Sequence, residues 1–186
     1  MIDGVSILVE NVAPEGIQIK GGGIVHMRSI RLDYLVPGTL LVYVTLHLLE
    51  EWLFGFPAWA EQRWGIPDYT VLKWLMHNAY FTFFLVSGYI IYRVNKEKFM
   101  PLGLGIIIWG LLNFANHVVF SLIFLEYSPG LITSFIFLLL GILALRQAKI
   151  AGQLSTRVTL LSVLCALLYW GLPMGLFITV DLMLGL

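Results

Sequence analysis

Three short stretches of this chain carry side chains able to do chemistry. The first, "HLLEE", places His47, Glu50 and Glu51 at i, i+3 and i+4, within a 100° arc of one helix face. The second, "HNAYF", offers His77 with Asn78 beside it and Tyr80 and Phe81 about one turn on. The third, "NFANH", puts Asn113, Asn116 and His117 on another common face. Three imidazoles with a carboxylate are a ligand set for zinc, and histidine with glutamate also suits iron or manganese. A second carboxylate beside such a centre is placed to act as a general base, because zinc can bring the pKa of water to about 7.

These residues sit in a chain that composition assigns to the membrane. Of 186 residues 59% are hydrophobic and 12% charged, against roughly 45–50% and 25% in soluble domains. The expected fold is an all-α, polytopic membrane helix bundle of about five transmembrane helices. Charge spacing sets the spans at 35–54, 70–92, 101–125, 129–145 and 158 to the C-terminus, the last interrupted by Pro173. Pro101 suits a helix start. Trp52, Phe54, Phe56, Trp59 and Trp64 crowd the first connection, as aromatics do at headgroup level. Bundle and domain coincide over 33–186. Residues 1–32 are expected to be a flexible or partly disordered cytoplasmic segment, with Met27 opening the compact protein and His26 without a role. No secretory signal is evident in it.

With that segment inside, Lys20, Arg28, Arg31, Arg93, Lys96, Lys98, Arg146, Lys149 and Arg157 share one side, leaving Arg63 and Lys73 opposite. The positive-inside rule then gives an N-in, C-out orientation. Zero formal net charge argues against nucleic acid as a partner, and the single Cys165 makes no intrachain disulfide. At 1.5 Å per residue, His47 lies roughly 18 Å, His77 roughly 22 Å and His117 roughly 24 Å from the cytoplasmic ends of their spans. All three reach one level in the outer half of an apolar slab about 30 Å thick, beside Glu50 and Glu51. Asp181 approaches that level if the last helix continues past Pro173.

A carboxylate near the bilayer centre costs about 2.5–3.5 kcal/mol on insertion scales, and two adjacent ones also repel. A bound cation, a proton on one carboxylate, or water must compensate. "HLLEE" followed by "WLFGFPAW", "NFANH" and "YSPGLITS" resembles the HxxEE-domain family of small bacterial membrane proteins, over about Leu35 to the end. The resemblance implies a bacterial inner membrane and makes His47, Glu50, Glu51, Asn113 and His117 motif positions. His77 is added on its depth.

The reading that uses these parts most fully is an intramembrane metalloenzyme acting on a lipid or other hydrophobic substrate, most simply by hydrolysis. His47, His77, His117 and Glu51 are its expected ligands to a divalent ion, zinc ahead of iron. Glu50, Glu51 and Asn113 are its expected catalytic residues. An iron-dependent oxidase, a metal-free acid/base lipid isomerase and a proton or cation transporter use the same residues, the last disfavoured by the lack of a visible inverted repeat. Against all of these stand blander roles. Glu50 and Glu51 would be solvated at the interface, either histidine packed alone, the asparagines interhelical glue, Gly103, Gly105 and Gly110 close-packing positions, and Trp170, Met174 and Phe177 plain core.

Overall fold

The computed structural model describes residues 32–184, which are helical throughout apart from short connections. The expectation for residues 1–31 therefore lies outside the described residues. A first rod runs through α1 (Leu32–Val42), a π-helical turn (Tyr43–His47) and α2 (Leu48–Leu53). Then come a short α3 (Phe56–Trp64), α4 (Val71–Val94), α5 (Met100–Phe124), α6 (Leu131–Ile150) and α7 (Thr156–Leu184). The first rod, α5, α6 and α7 are each long and apolar enough to cross a membrane. With α4, 24 residues long and about 36 Å at 1.5 Å per residue, the bundle has roughly five spanning rods. Leu139, Leu160 and Leu167 are more than half exposed, as suits side chains turned to acyl chains in an integral membrane protein.

Local signals explain the helix ends. Thr70 caps α4 by accepting the Lys73 backbone N–H at 3.3 Å, Pro101 occupies the first turn of α5, and Arg93 and Lys149 sit in last turns, where the helix dipole favours cations. Pro173 does not interrupt the last span, because α7 runs on through it. A missing donor inside a membrane helix costs little when neighbours re-satisfy the backbone.

α5 is the central rod, packed against the first rod, α4, α6 and α7. Its Trp109 is 1% exposed and meets Tyr43 edge-on at 4.8 Å between ring centroids. A second core holds Phe56, Ala60, Tyr69, Trp74 and Phe177. The aromatics after the first span thus divide. Trp52 and Phe54 are exposed, whereas Phe56, Trp59 and Trp64 lie on α3, and Phe56 and Trp64 roof a cavity within the bundle.

Close approach of α5 and α7 rests on small residues, as in many membrane bundles. A Cβ on Gly105 would stand 2.7 Å from Cys165 Cβ. Gly105→Val should therefore push α7 away and destabilise the bundle by about 1–3 kcal/mol, measurable as a lower melting temperature in detergent.

Candidate functional site

The site begins with a phase problem that the π turn and the following helix solve. Leu48 N–H bonds to the Tyr43 carbonyl five residues back, and π turns of this kind recur at functional sites. The widened turn leaves Tyr43 and His47 both buried, with Val44, Thr45 and Leu46 between them exposed. Glu50 and Glu51 follow on α2, and both are buried rather than solvated at an interface. Adjacent residues on a helix point about 100° apart, so the two carboxylates diverge toward different neighbours.

Glu51 turns inward. Its Oε1 lies 3.5 Å from His47 Nε2 and 3.8 Å from His117 Nε2, and its Oε2 accepts the indole N–H of Trp74 at 2.9 Å. His47 and His117 meet edge-on, 5.0 Å between ring centroids. Ligand atoms of His47, Glu51 and His117 all lie within 4.8 Å of one another, with all three residues buried. These separations exceed a normal hydrogen bond of about 2.7–3.2 Å. They come close to the roughly 3.4 Å spacing of donors held about 2.1 Å from a tetrahedral ion.

Both imidazoles are held from behind. His47 Nδ1 is 2.9 Å from Thr133 Oγ1, and His117 Nδ1 is 3.0 Å from Ser128 Oγ. Thr133 already donates its hydroxyl proton to the Gly130 carbonyl at 3.3 Å, so it accepts from His47 Nδ1–H. That tautomer leaves the His47 Nε2 lone pair free. His47 Nε2 is buried and has no hydrogen-bond partner among the described residues. The donor set and this orphaned atom fit a divalent cation, so the three residues are a group able to hold a metal ion.

Glu50 turns the other way, to the start of α6. Gly130, the N-cap, has φ 99° and no side chain to offer. Glu50 takes that role from another helix, accepting the backbone N–H of Ile132 at 2.9 Å and of Thr133 at 2.7 Å. Tyr127 donates its hydroxyl to the same carboxylate. An anion at two orphan N–H groups of a helix N-terminus is favourable on hydrogen-bonding and dipole grounds together. Both oxygens of Glu50 are thereby engaged at the start of α6, and Glu50 is not part of the three-residue group beside which a proton-handling role was expected of it. Gly130 is needed for space as well as for φ. A Cβ there would meet His117 Cε1 at 2.7 Å and His47 Cε1 at 2.8 Å.

A cavity of about 50 Å³ adjoins the cluster, bordered by Glu51, His77, Asn113, Asn116 and His117. That volume admits a few waters. His77, expected as a ligand, shares the cavity but not the three-residue group. Its Nδ1 is 2.9 Å from the Tyr69 hydroxyl, its ring stacks on Phe177 at 4.8 Å, and its Nε2 has no partner among the described residues. Asn113 reaches the cavity with its Oδ1 likewise unpartnered among the described residues. Trp170 and Met174 line it too, whereas Phe177 is core. Asp181 does not close the site, because it pairs with Lys73 at 3.0 Å and ties α7 to α4.

A family model described as "Protein of unknown function with HXXEE motif" matches residues 39–145, more than half of the chain. The chain belongs to the HXXEE family. No curated protein and no solved structure matches it. The motif that names the family is His47, Glu50 and Glu51, so in this HXXEE protein one motif carboxylate joins the imidazoles and its neighbour secures the helix that positions them.

Sequence reasoning gave no role to Gly130, Ser128 and Thr133, although "YSPGLITS" contains all three. Nor did it find Tyr69, Trp74 or the latch over α3. In that latch Arg63 makes two hydrogen bonds to Glu126, one of them 2.6 Å from Nε, and Trp59 donates to Glu126 at 2.8 Å. The Arg63 hydrogen bond is the largest cause holding the Glu126 carboxyl below its ordinary 4.5.

Gly130→Ala should cost about 1–2 kcal/mol for the unfavourable φ and displace both imidazoles, read as lost metal binding by calorimetry. Glu50→Ala should lower stability by about 0.5–2 kcal/mol through loss of the α6 cap while metal binding survives. A group with a depressed pKa in the folded state contributes stability above its ordinary pKa and loses it as pH falls through the folded value. Acidification below 4.5 should therefore loosen α3, seen as a change in tryptophan emission that Glu126→Gln abolishes.

Proposed function

We propose that this protein is an intramembrane metalloenzyme in which His47, Glu51 and His117 hold one divalent ion, zinc before iron, and that it hydrolyses a lipid or other hydrophobic substrate. The observation that carries this reading is the buried trio of Nε2, Nε2 and Oε1 atoms beside a cavity, each imidazole anchored through Nδ1 by a hydroxyl. Two histidines with one carboxylate leave coordination open, as catalytic zinc sites do. When bound, the ion supplies a water acidified toward neutral pH.

The chain's own residues supply the rest. His77 is the proton acceptor, oriented by Tyr69, with its free Nε2 in the cavity wall. This assigns it proton transfer in place of ligation, and relieves Glu50 of that task. Asn113 contributes an amide able to hold a substrate carbonyl. Tyr43, Phe56, Phe81, Trp109 and Trp170 give the cavity an apolar lining suited to the hydrophobic part of a substrate. The distribution of Lys and Arg puts this level in the outer half of the bilayer.

Elemental analysis of the purified protein should find about one zinc per chain, lost in His47→Ala and His117→Ala and kept in Glu50→Gln. Glu51→Gln should leave the helical circular-dichroism signal unchanged and reduce lipid-ester hydrolysis at least 100-fold, within the several kcal/mol a metal centre contributes. A wild-type protein without stoichiometric metal that still turns over lipid would instead favour metal-free acid/base catalysis by the Tyr69–His77 pair. Iron in place of zinc would move the reaction to oxygen chemistry at a two-histidine, one-carboxylate site.

A further inference from the structure

Outside the cavity, a second depression of about 610 Å³ runs along the outer face of α4, with Leu48 of α2 as its far wall. Its lining is almost wholly apolar, from Leu75 through Ala79, Phe83 and Val86 to Ile90. Leu75, Phe83 and Ile90 are each half exposed or more, so in a bilayer they face hydrocarbon. Of the polar residues in that wall besides Asn78, Thr82 turns its hydroxyl to the Asn78 carbonyl of its own helix at 2.8 Å, and Ser87 is the other.

Two residues connect this groove to the site. Asn78 lines both the groove and the inner cavity, and Leu48 directly follows His47 in the chain. At the junction the Tyr43 hydroxyl donates to Asn78 Oδ1 at 2.5 Å, and Asn78 Nδ2 donates to the Trp74 carbonyl at 3.0 Å. The Tyr43–Asn78 hydrogen-bonded pair therefore stands where the acyl-facing groove and the polar cavity adjoin. From Asn78 to Ile90 the groove is about 18 Å long at 1.5 Å per residue, long enough to follow an extended acyl chain.

We infer that the α4 groove seats one acyl chain of a membrane lipid, its polar end at Asn78 beside the metal group and its tail running toward Ile90. The inference rests on the proposed lipid chemistry for its purpose, but seating of the chain can be measured without turnover. The occupant is a lipid of the surrounding bilayer because the groove lies on a membrane-facing surface and is lined mostly by apolar side chains, with its one amide, Asn78, shared with the inner cavity. The Tyr43–Asn78 pair is the gate through which the lipid's polar end reaches Glu51 and His117.

The full chain would be reconstituted into phosphatidylethanolamine/phosphatidylglycerol vesicles containing a phosphatidylglycerol with a mid-chain diazirine, irradiated, and its adducts mapped by peptide mass spectrometry. Adducts on 79–90 should exceed those around the equally lipid-facing Leu139 and Leu160 several-fold. Ala79→Trp, and independently Ser87→Trp, should cut the α4 adducts at least twofold while leaving those on α6 and α7 unchanged. Equal labelling of all lipid-facing helices, or α4 labelling indifferent to both tryptophans, would overturn the inference. Labelling should persist in His117→Ala, so an occupied groove with no bound metal would sink the metalloenzyme reading alone, and bound metal with an empty groove would sink only this one.

Discussion

Two neighbouring carboxylates inside an apolar bundle are the constraint from which most of this structure follows. Each costs free energy on leaving water, and the pair repels if both stay charged. The protein meets the two costs separately. Glu50 is taken by two backbone N–H groups and a tyrosine hydroxyl at the end of α6, while Glu51 is left with one indole N–H and two imidazoles standing just beyond hydrogen-bonding range. The first carboxylate is satisfied by the protein alone. The second has one oxygen whose nearest polar neighbours are two imidazole nitrogens, an arrangement that a cation between them would complete.

That division couples folding to the site. The N–H groups that bind Glu50 belong to the same turn that presents Gly130 against both imidazole rings and Thr133 against His47. The start of α6 therefore does three things in four residues: it neutralises one acid, makes room for two histidines and sets the tautomer of one of them. Such supporting contacts commonly decide whether a ligand set is held tightly enough to function. α3 adds a roof of aromatic side chains over the cavity, and the Arg63–Glu126 latch holds it there from outside the apolar region.

A cavity that is polar at one wall and aromatic elsewhere shares Asn78 with an apolar, outward-facing groove along α4, which unites the site with its setting. On the function proposed above, a substrate drawn from the bilayer would meet Glu51 and His117 without crossing bulk water. It would do so at a depth where electrostatic interactions are strong, because the surroundings are poorly polarisable.

The sequence by itself determined the membrane class, the roughly five rods and the level at which the histidines meet, because each follows from one-dimensional quantities: apolar run length, charge spacing and rise per residue. Helical spacing also sufficed to bring His47 and Glu51 onto one face and Asn113 and His117 onto another. Glu51 was already the ligand expected from the sequence; only the tertiary structure decided that Glu50 turns away from the imidazoles to the start of α6, since a 100° step on α2 acquires meaning once α5 and α6 have taken their places around it. It also decided that Gly130, Ser128 and Thr133 build the site and that His77 stands beside the ligand group. Those roles depend on contacts between different helices and connections, some more than 80 positions apart, such as Glu50 with Thr133 and His47 with Thr133, and no local periodicity encodes them. Pro173 was misjudged for the same reason, since whether a proline ends a helix depends on what packs against it.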